Sequence, residues 1–416
     1  MKHMEKKKIF YGWIIVAAGC VIMAATMGIL SNCNSLFIKP ISEDLGLSRQ
    51  AVSAIISLLN FGSMAASFFA GRIFNETNII RIMKAAVIVM VLSCFVSSFA
   101  TDIRMLYVTF AINGITMCLT TTLPMTFILN NWFKDKVGYA LGLASMGSGF
   151  GGALFSAIAG QLITRTGWRM TYRILALSIL VTAVPCIFLL LRLKPEEMGL
   201  EPYREKKEST EQTAGSDEPL TGYTFAEARR KPLFWIICVA AVTLGFCMNG
   251  MYSSVSANLQ DNGYSLAFSA NFISVCMLVM AACKILLGKV FDRFGVRIGF
   301  CWACLWLFLA TLGLLLCRIP AALLLIVVGI GFGFIFGAVV FPLSIPLIFG
   351  KKDYRSIMGP YASLISMGGV FGPVIFGRVY DMTGSYNPAY IFNLIAVGAV
   401  ILIMFRLLPN RNDQFS

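Results

Sequence analysis

Histidine occurs once in this 416-residue chain, as His3, and no aspartate or glutamate falls in the middle of any long apolar stretch. Metal centres, nucleophile–base pairs and side-chain proton relays draw on those residue types, so the chain has little to build a catalytic site from. Charge is scarce altogether, 13% of residues against 58% hydrophobic. A soluble protein of this length could not cover so much apolar surface, so lipid must be the solvent for most of it. The 12 cysteines lie almost all inside apolar runs, and Cys301 with Cys304 forms a lone C-x-x-C without a second pair. Small buried hydrophobes explain them better than ligands or redox partners. No cofactor and no metal are expected.

What is present is a series of apolar runs near the length of about 20 residues that a spanning helix needs. Twelve can be placed, at 10–32, 51–72, 79–99, 105–129, 138–163, 171–193, 233–258, 268–290, 296–316, 321–348, 356–377 and 388–408. The fold class expected is all-α integral membrane. Lys6, Lys7 and Lys8 ahead of the first run resemble the start of a signal sequence, but the run continues past Leu30 without an A-x-A site. It reads as the first spanning helix.

The net charge of +14 is a matter of topology, not of nucleic-acid binding. With twelve crossings, 25 of the 34 Lys and Arg fall on the side of both termini, eight on the other, and Lys284 alone inside a span. The positive-inside rule then puts both termini in the cytoplasm, as in a multi-pass protein of a cytoplasmic cell membrane. Composition changes abruptly over 194–232, which is polar and mixed in charge. It reads as a cytoplasmic linker with one short helix near Phe225–Arg230. The expected units are a six-helix bundle at 1–193, the linker, a second bundle at 233–408 and a tail at 409–416.

The bundles repeat each other. "LASMGSGFGG" at 143–152 matches "LISMGGVFGP" at 364–373, Pro124 pairs with Pro342, Lys134-Asp135 with Lys352-Asp353, and Gly71–Asn75 with Gly288–Asp292, all at offsets of 217 to 221. A duplicated six-helix unit is a transporter architecture, with the substrate site between the halves. Gly147-x3-Gly151 and Gly368-x3-Gly372 would let the fifth and eleventh helices approach their neighbours closely. "GIGFGFIFG" at 329–337 lies within a span and follows no strand, so it is not a nucleotide loop.

Lys284 follows nine apolar or small residues and stands four before Gly288. A cation on an interior face binds a small anion well in low dielectric. Gly288 is only about 6 Å further along the helix, so the same side chain could instead snorkel to the headgroups.

The segment Gly288-Lys-Val-Phe-Asp292-Arg293-Phe-Gly295-Val-Arg297 resembles the loop signature of the major facilitator superfamily; its first-half counterpart carries Asn75 where the acid belongs. The resemblance implies that Asp292 and Arg293 hold the halves together in the outward-facing state. "FYGWIIV" at 10–16 and "NWFKDKVGYALGLASMGSGFG" at 131–151 resemble the monocarboxylate transporters and oxalate–formate exchangers. In that subgroup a basic residue, usually Arg, four positions before the loop glycine binds the substrate carboxylate, which implies this role for Lys284. The chain departs from the subgroup at Met280, where the proton-linked branch has Asp, at Ser31 or Asn32, where that branch has Lys, and at Tyr361, where the oxalate exchanger has Lys.

In the superfamily, helices 1, 4, 7 and 10 surround the cavity. Their polar residues are therefore candidates: Asn32 and Asn34; Asn113, Thr116, Thr120 and Thr121; Asn249, Tyr252, Ser253 and Ser256. Tyr361 on the eleventh helix joins them. For each hydroxyl the competing reading is a bond to its own i−4 carbonyl. The expectation is a transporter of a small organic anion, a monocarboxylate or short dicarboxylate, in contact with lipid and with no obligate protein partner evident. The alternative is a multidrug exporter on the same fold.

Overall fold

The computed structural model describes residues 10–73, 78–133, 137–204, 222–350 and 352–409. His3, Asn75 and the pair Lys134-Asp135 lie outside them. Among the described residues ten segments are long and apolar enough to cross a membrane, two fewer than expected. One of the ten, Tyr139–Leu190, holds two crossings, and the tenth expected span is broken, with only Pro320–Gly333 in its first piece. Twelve crossings are thereby accounted for. We label them α1 (Tyr11–Asn32), α2 (Arg49–Ile73), α3 (Ile79–Ser97), α4 (Ile103–Trp132), α5 (137–166), α6 (168–190), α7 (Pro232–Asp261), α8 (266–294), α9 (296–315), α10 (320–349), α11 (Tyr354–Thr383) and α12 (Asn387–Leu407).

The chain passes from α5 to α6 and from α8 to α9 without a loop, through single glycines. Gly167 has φ 79° and ψ 168°, and Gly295 has φ 79° and ψ −176°. Only glycine adopts that backbone region cheaply, which is why the loop signature carries a glycine at 295.

Two of the helix breaks have proline causes. Pro124 lacks an N–H and crowds the carbonyl one turn back, and α4 leaves helical geometry just there, at Thr121 (φ −109°, ψ −120°). Its repeat partner Pro342 crowds the carbonyl of Ala338, inside a π turn of α10 at Phe336–Val340; the bend at Phe334 and Ile335 lies further back. A second π turn, Gly28–Asn32, interrupts α1, whereas α7 runs unbroken.

The glycine pairs bring two helix pairs into backbone contact, as expected from their spacing. A Cβ on Gly147 or Gly151 would collide with the carbonyl oxygens of Cys20 and Ala24 on α1. In the second half Gly368 and Gly372 of α11 sit just as close to Val242 and Phe246 of α7. No strand is present among the described residues.

One face of the bundle gathers the linker ends. Trp132 Nε1 donates to Arg192 O (2.9 Å), Tyr203 N to Trp132 O (2.8 Å), and Phe225 N to the Asp353 carboxylate (2.9 Å). The short linker helix is Phe225–Ala228, capped reciprocally by Thr224 and Glu227. We call this the linker face and its opposite the far face.

Candidate functional site

The halves are joined on the far face. Arg49, at the start of α2, makes two hydrogen bonds to the Asp261 carboxylate at the end of α7, of 2.5 and 2.7 Å, and stacks over Tyr380 at 3.8 Å. The backbone N–H groups of Arg49 and Gln50 donate to Asp381 (2.9 and 2.8 Å), so a helix N-terminus of one half is capped by a carboxylate of the other. Lys39 also reaches Asp261, at 3.5 Å. Deeper in the membrane two contacts remain, Asn60 Nδ2 to Gly369 O (3.1 Å) and Tyr252 Oη to Asn32 O (2.7 Å).

Just there, between α1, α2, α7 and α10, is a cavity of about 50 Å³. Asn32, Asn34, Asn249, Tyr252 and Ser253, five of the residues singled out in the sequence, line it. The π turn of α1 supplies Ser31 and Asn32, a common use of such irregular turns. Asn60 on α2, Ser35, and Phe334 at the break of α10 also line it and were not anticipated. Asn60 was legible as an amide within an apolar span, but which face of α2 it occupies was not.

Asn32 and Asn249 are repeat partners, at an offset of 217. Each leans on the glycine motif of its own half. Asn32 donates to Ser148 O (2.8 Å) beside Gly152, and the Asn249 amide lies against Gly369. Tyr252 packs on Phe334 with ring centroids 4.8 Å apart, closing the cavity toward the linker face.

Lys284 stands at the Phe334 end of that aromatic pair. Gly152 packs on Asn32, and Gly149, three residues earlier on α5, meets Ala281 of α8. Lys284 follows Ala281 by three residues, so it lies about 9 Å nearer the linker face than Asn32. On the other side Gly331 of α10 meets both Val279 and Cys283, level with Ala281 between them. Phe334 follows Gly331 by three residues as Lys284 follows Ala281, which sets Lys284 and Phe334 at about one level. Lys284 shares the helical face of Met277 and Ala281, which is turned toward α5. It is half-buried, and no carboxylate pairs with it among the described residues. It does not line the 50 Å³ cavity.

The remaining candidates lie elsewhere. Tyr361 is fully buried, donates to Phe234 O at 3.3 Å and stacks on Phe341, fastening α11 to α7 and α10 at the linker face. Thr116 and Thr120 bond carbonyls of their own helix, Ile112 O (3.0 Å) and Thr116 O (2.9 Å), and are not on the cavity wall. Arg297 donates to Leu408 O (2.6 Å), which secures the end of α12, and Arg293 is exposed with its guanidinium 5.4 Å from the Phe294 ring. The side chain of Asp292 and the surroundings of Gly288 lie outside what is described.

The fold is one already seen in transporters. The nucleoside transporter NupG, in a mutant form, superposes with a TM-score of 0.73 at 11% identity, covering 96% of this chain and all of that one. A D-xylose–proton symporter gives 0.70 at 12% identity over 98% of both chains. In sequence the chain is similar to monocarboxylate transporter 13 of Rattus norvegicus, 23% identical over 94% of this chain and 87% of the relative. Rat monocarboxylate transporter 12 gives 22% over 96% and 86%, and the MFS-type transporter YhjX of Escherichia coli K12 gives 27% over 62% and 61%. The model of the Major Facilitator Superfamily matches residues 16–347, and with that the chain belongs to this superfamily, as a multi-pass membrane transporter and not an enzyme.

Proposed function

We propose that the protein carries a small organic anion, a monocarboxylate or short dicarboxylate, by alternating access, with the Lys284 ammonium holding the carboxylate. The observation that carries this reading is Lys284 itself, half-buried on the α5 side of α8 and unpaired with any described carboxylate. An ammonium in low-dielectric surroundings without a counter-ion is costly, and an arriving carboxylate relieves that cost through a charge-assisted hydrogen bond. The similarity to two rat monocarboxylate transporters supports the same class of substrate.

The bias of Lys and Arg supports a cytoplasmic linker face in a cytoplasmic membrane. The conformation then has its outer side held by Arg49, Asp261 and Asp381. In the opposite conformation Asp292 and Arg293, framed by Gly288, Gly295 and Arg297, would hold the linker face. With no acid at mid-span among the residues above, any proton travels on the substrate or on Lys284. Transport by this route needs only substrate and bilayer, with no protein partner.

The test is uptake of labelled acetate, lactate, pyruvate, formate and oxalate into proteoliposomes, with and without a pH gradient and with each anion preloaded. Saturable uptake of at least one supports the reading. Uptake of none of them contradicts it.

A further inference from the structure

The uncommitted groups of the cavity are mainly hydrogen-bond acceptors. Four asparagines line it, and each spends an Nδ2–H on a backbone carbonyl: Asn32 on Ser148 O (2.8 Å), Asn60 on Gly369 O (3.1 Å), Asn249 on Gly245 O (2.9 Å), and Asn34 on Leu30 O. A carbonyl can only accept, so these bonds fix which end of each amide is nitrogen. No described donor reaches any of the four Oδ1 atoms. The Tyr252 and Ser253 hydroxyls likewise give their protons away, to Asn32 O (2.7 Å) and Gly250 O (2.8 Å), and keep their lone pairs. Ser35, 1% exposed, has an Oγ with no partner in the same wall. No described Lys, Arg, Asp or Glu lines the cavity.

Each amide keeps its second N–H as well as its oxygen. A carboxylate placed here would meet a few neutral donors, more acceptors than donors and no cation among the described lining residues, which disfavours the anionic end of a substrate in it. We propose that the cavity is the subsite for the other end of the substrate, and that it selects a hydroxyl or amine. The substrate class is thereby a short carboxylate bearing a hydrogen-bond donor at its far end. The geometry fits such a molecule. The cavity has room for about three to five water-sized groups. Its floor, Phe334, is level with Lys284, and the Asn32 amide lies about 9 Å further in, a span that a lysine side chain and a three- or four-carbon substrate bridge together. The Tyr252–Phe334 pair lies across that path, so its rings must part for the donor end to enter.

Discrimination follows from the cost of leaving buried polar groups unpaired. A methyl in the cavity satisfies none of the acceptors, whereas a hydroxyl or ammonium pairs with them. This inference rests on the carboxylate reading of Lys284, and its test separates the two. Full-length protein in proteoliposomes is given propionate, 3-hydroxypropionate and 3-aminopropionate in turn, and kcat/KM is compared within the series. The expected result is a preference of about tenfold or more for the two donor-bearing acids over propionate. In Asn249→Leu and Asn60→Leu that ratio falls toward one, whatever the absolute rates. Propionate equal to or better than 3-hydroxypropionate in the unaltered protein overturns the subsite and leaves the carboxylate reading standing. Uptake of none of the series by protein that carries one of the acids named above overturns the subsite alone, and uptake of neither set overturns both. The wild-type ratio needs no variant to fold, and a ratio unmoved by either substitution moves the selection away from these asparagines.

Discussion

The two halves of the molecule are built alike and charged differently. Gly147 and Gly151 bring α5 onto α1, and Gly368 and Gly372 bring α11 onto α7 in the same way. Asn32 and Asn249 occupy matching places, and Pro124 and Pro342 each accompany a helix break. At the position of Lys284, however, the first half has Ser67, whose hydroxyl donates to Ser63 O at 2.8 Å and lies against Cys118 Sγ. Duplication thus explains the scaffold: the glycines held the same in both halves serve packing, and the paired asparagines stand at the cavity wall. A residue that is charged in a single half needs another explanation.

The largest effect should come from breaking the shared scaffold. Gly151→Val and Gly372→Val both push a side chain into the backbone of the facing helix, at a cost on the order of 3 kcal/mol or more. The two variants should lose thermal stability alike. A stable Gly372→Val beside an unfolded Gly151→Val would show that the halves are not equivalent. Next is the far-face clasp. Arg49→Ala removes two hydrogen bonds to Asp261 and leaves that carboxylate to Lys39 alone, at 3.5 Å, so closure there should weaken by about 1–3 kcal/mol. In a background freed of other cysteines, Cys33 should then be alkylated faster by an impermeant maleimide added from the far side.

A sharper comparison sits at the linker face. Gly295 has a backbone only glycine adopts easily, while its repeat partner Asn78 has φ −116°. Gly295→Ala should cost about 1–3 kcal/mol and Asn78→Ala less, as melting temperatures in detergent would show. The smallest effect belongs to Thr116→Val and Thr120→Val. Both hydroxyls are spent on their own helix, so substrate KM should change by less than about twofold.

These pairs also explain what could be seen without coordinates. Repeat offsets, glycine spacing and run lengths were enough for the twelve crossings, because each is a local property of the chain. The broken α10 was not legible, since its apolar run is continuous across Phe334 and Ile335. Of the candidate binding residues, Asn32 and Asn34 meet those on α7 because the helix that follows α1, Asn34–Leu45, packs on α7. Thr116, Thr120 and Tyr361 are polar for local reasons, a back-bond or a helix clasp, which composition does not distinguish from ligand contact. Asn60 was passed over because reading only helices 1, 4, 7 and 10 omits α2, whose middle reaches the cavity through the Gly369 contact.

The central claim is that Lys284 meets the carboxylate. The most direct test is carboxylate uptake by the wild-type protein, Lys284→Gln and Lys284→Arg in proteoliposomes of matched protein content. The account predicts that Lys284→Gln loses about 10- to 100-fold in kcat/KM, equivalent to roughly 1.5–3 kcal/mol for a hydrogen bond to a charged group, and that Lys284→Arg recovers part of it. Unchanged kinetics in Lys284→Gln would contradict the account and return Lys284 to the role of a side chain reaching for the headgroups.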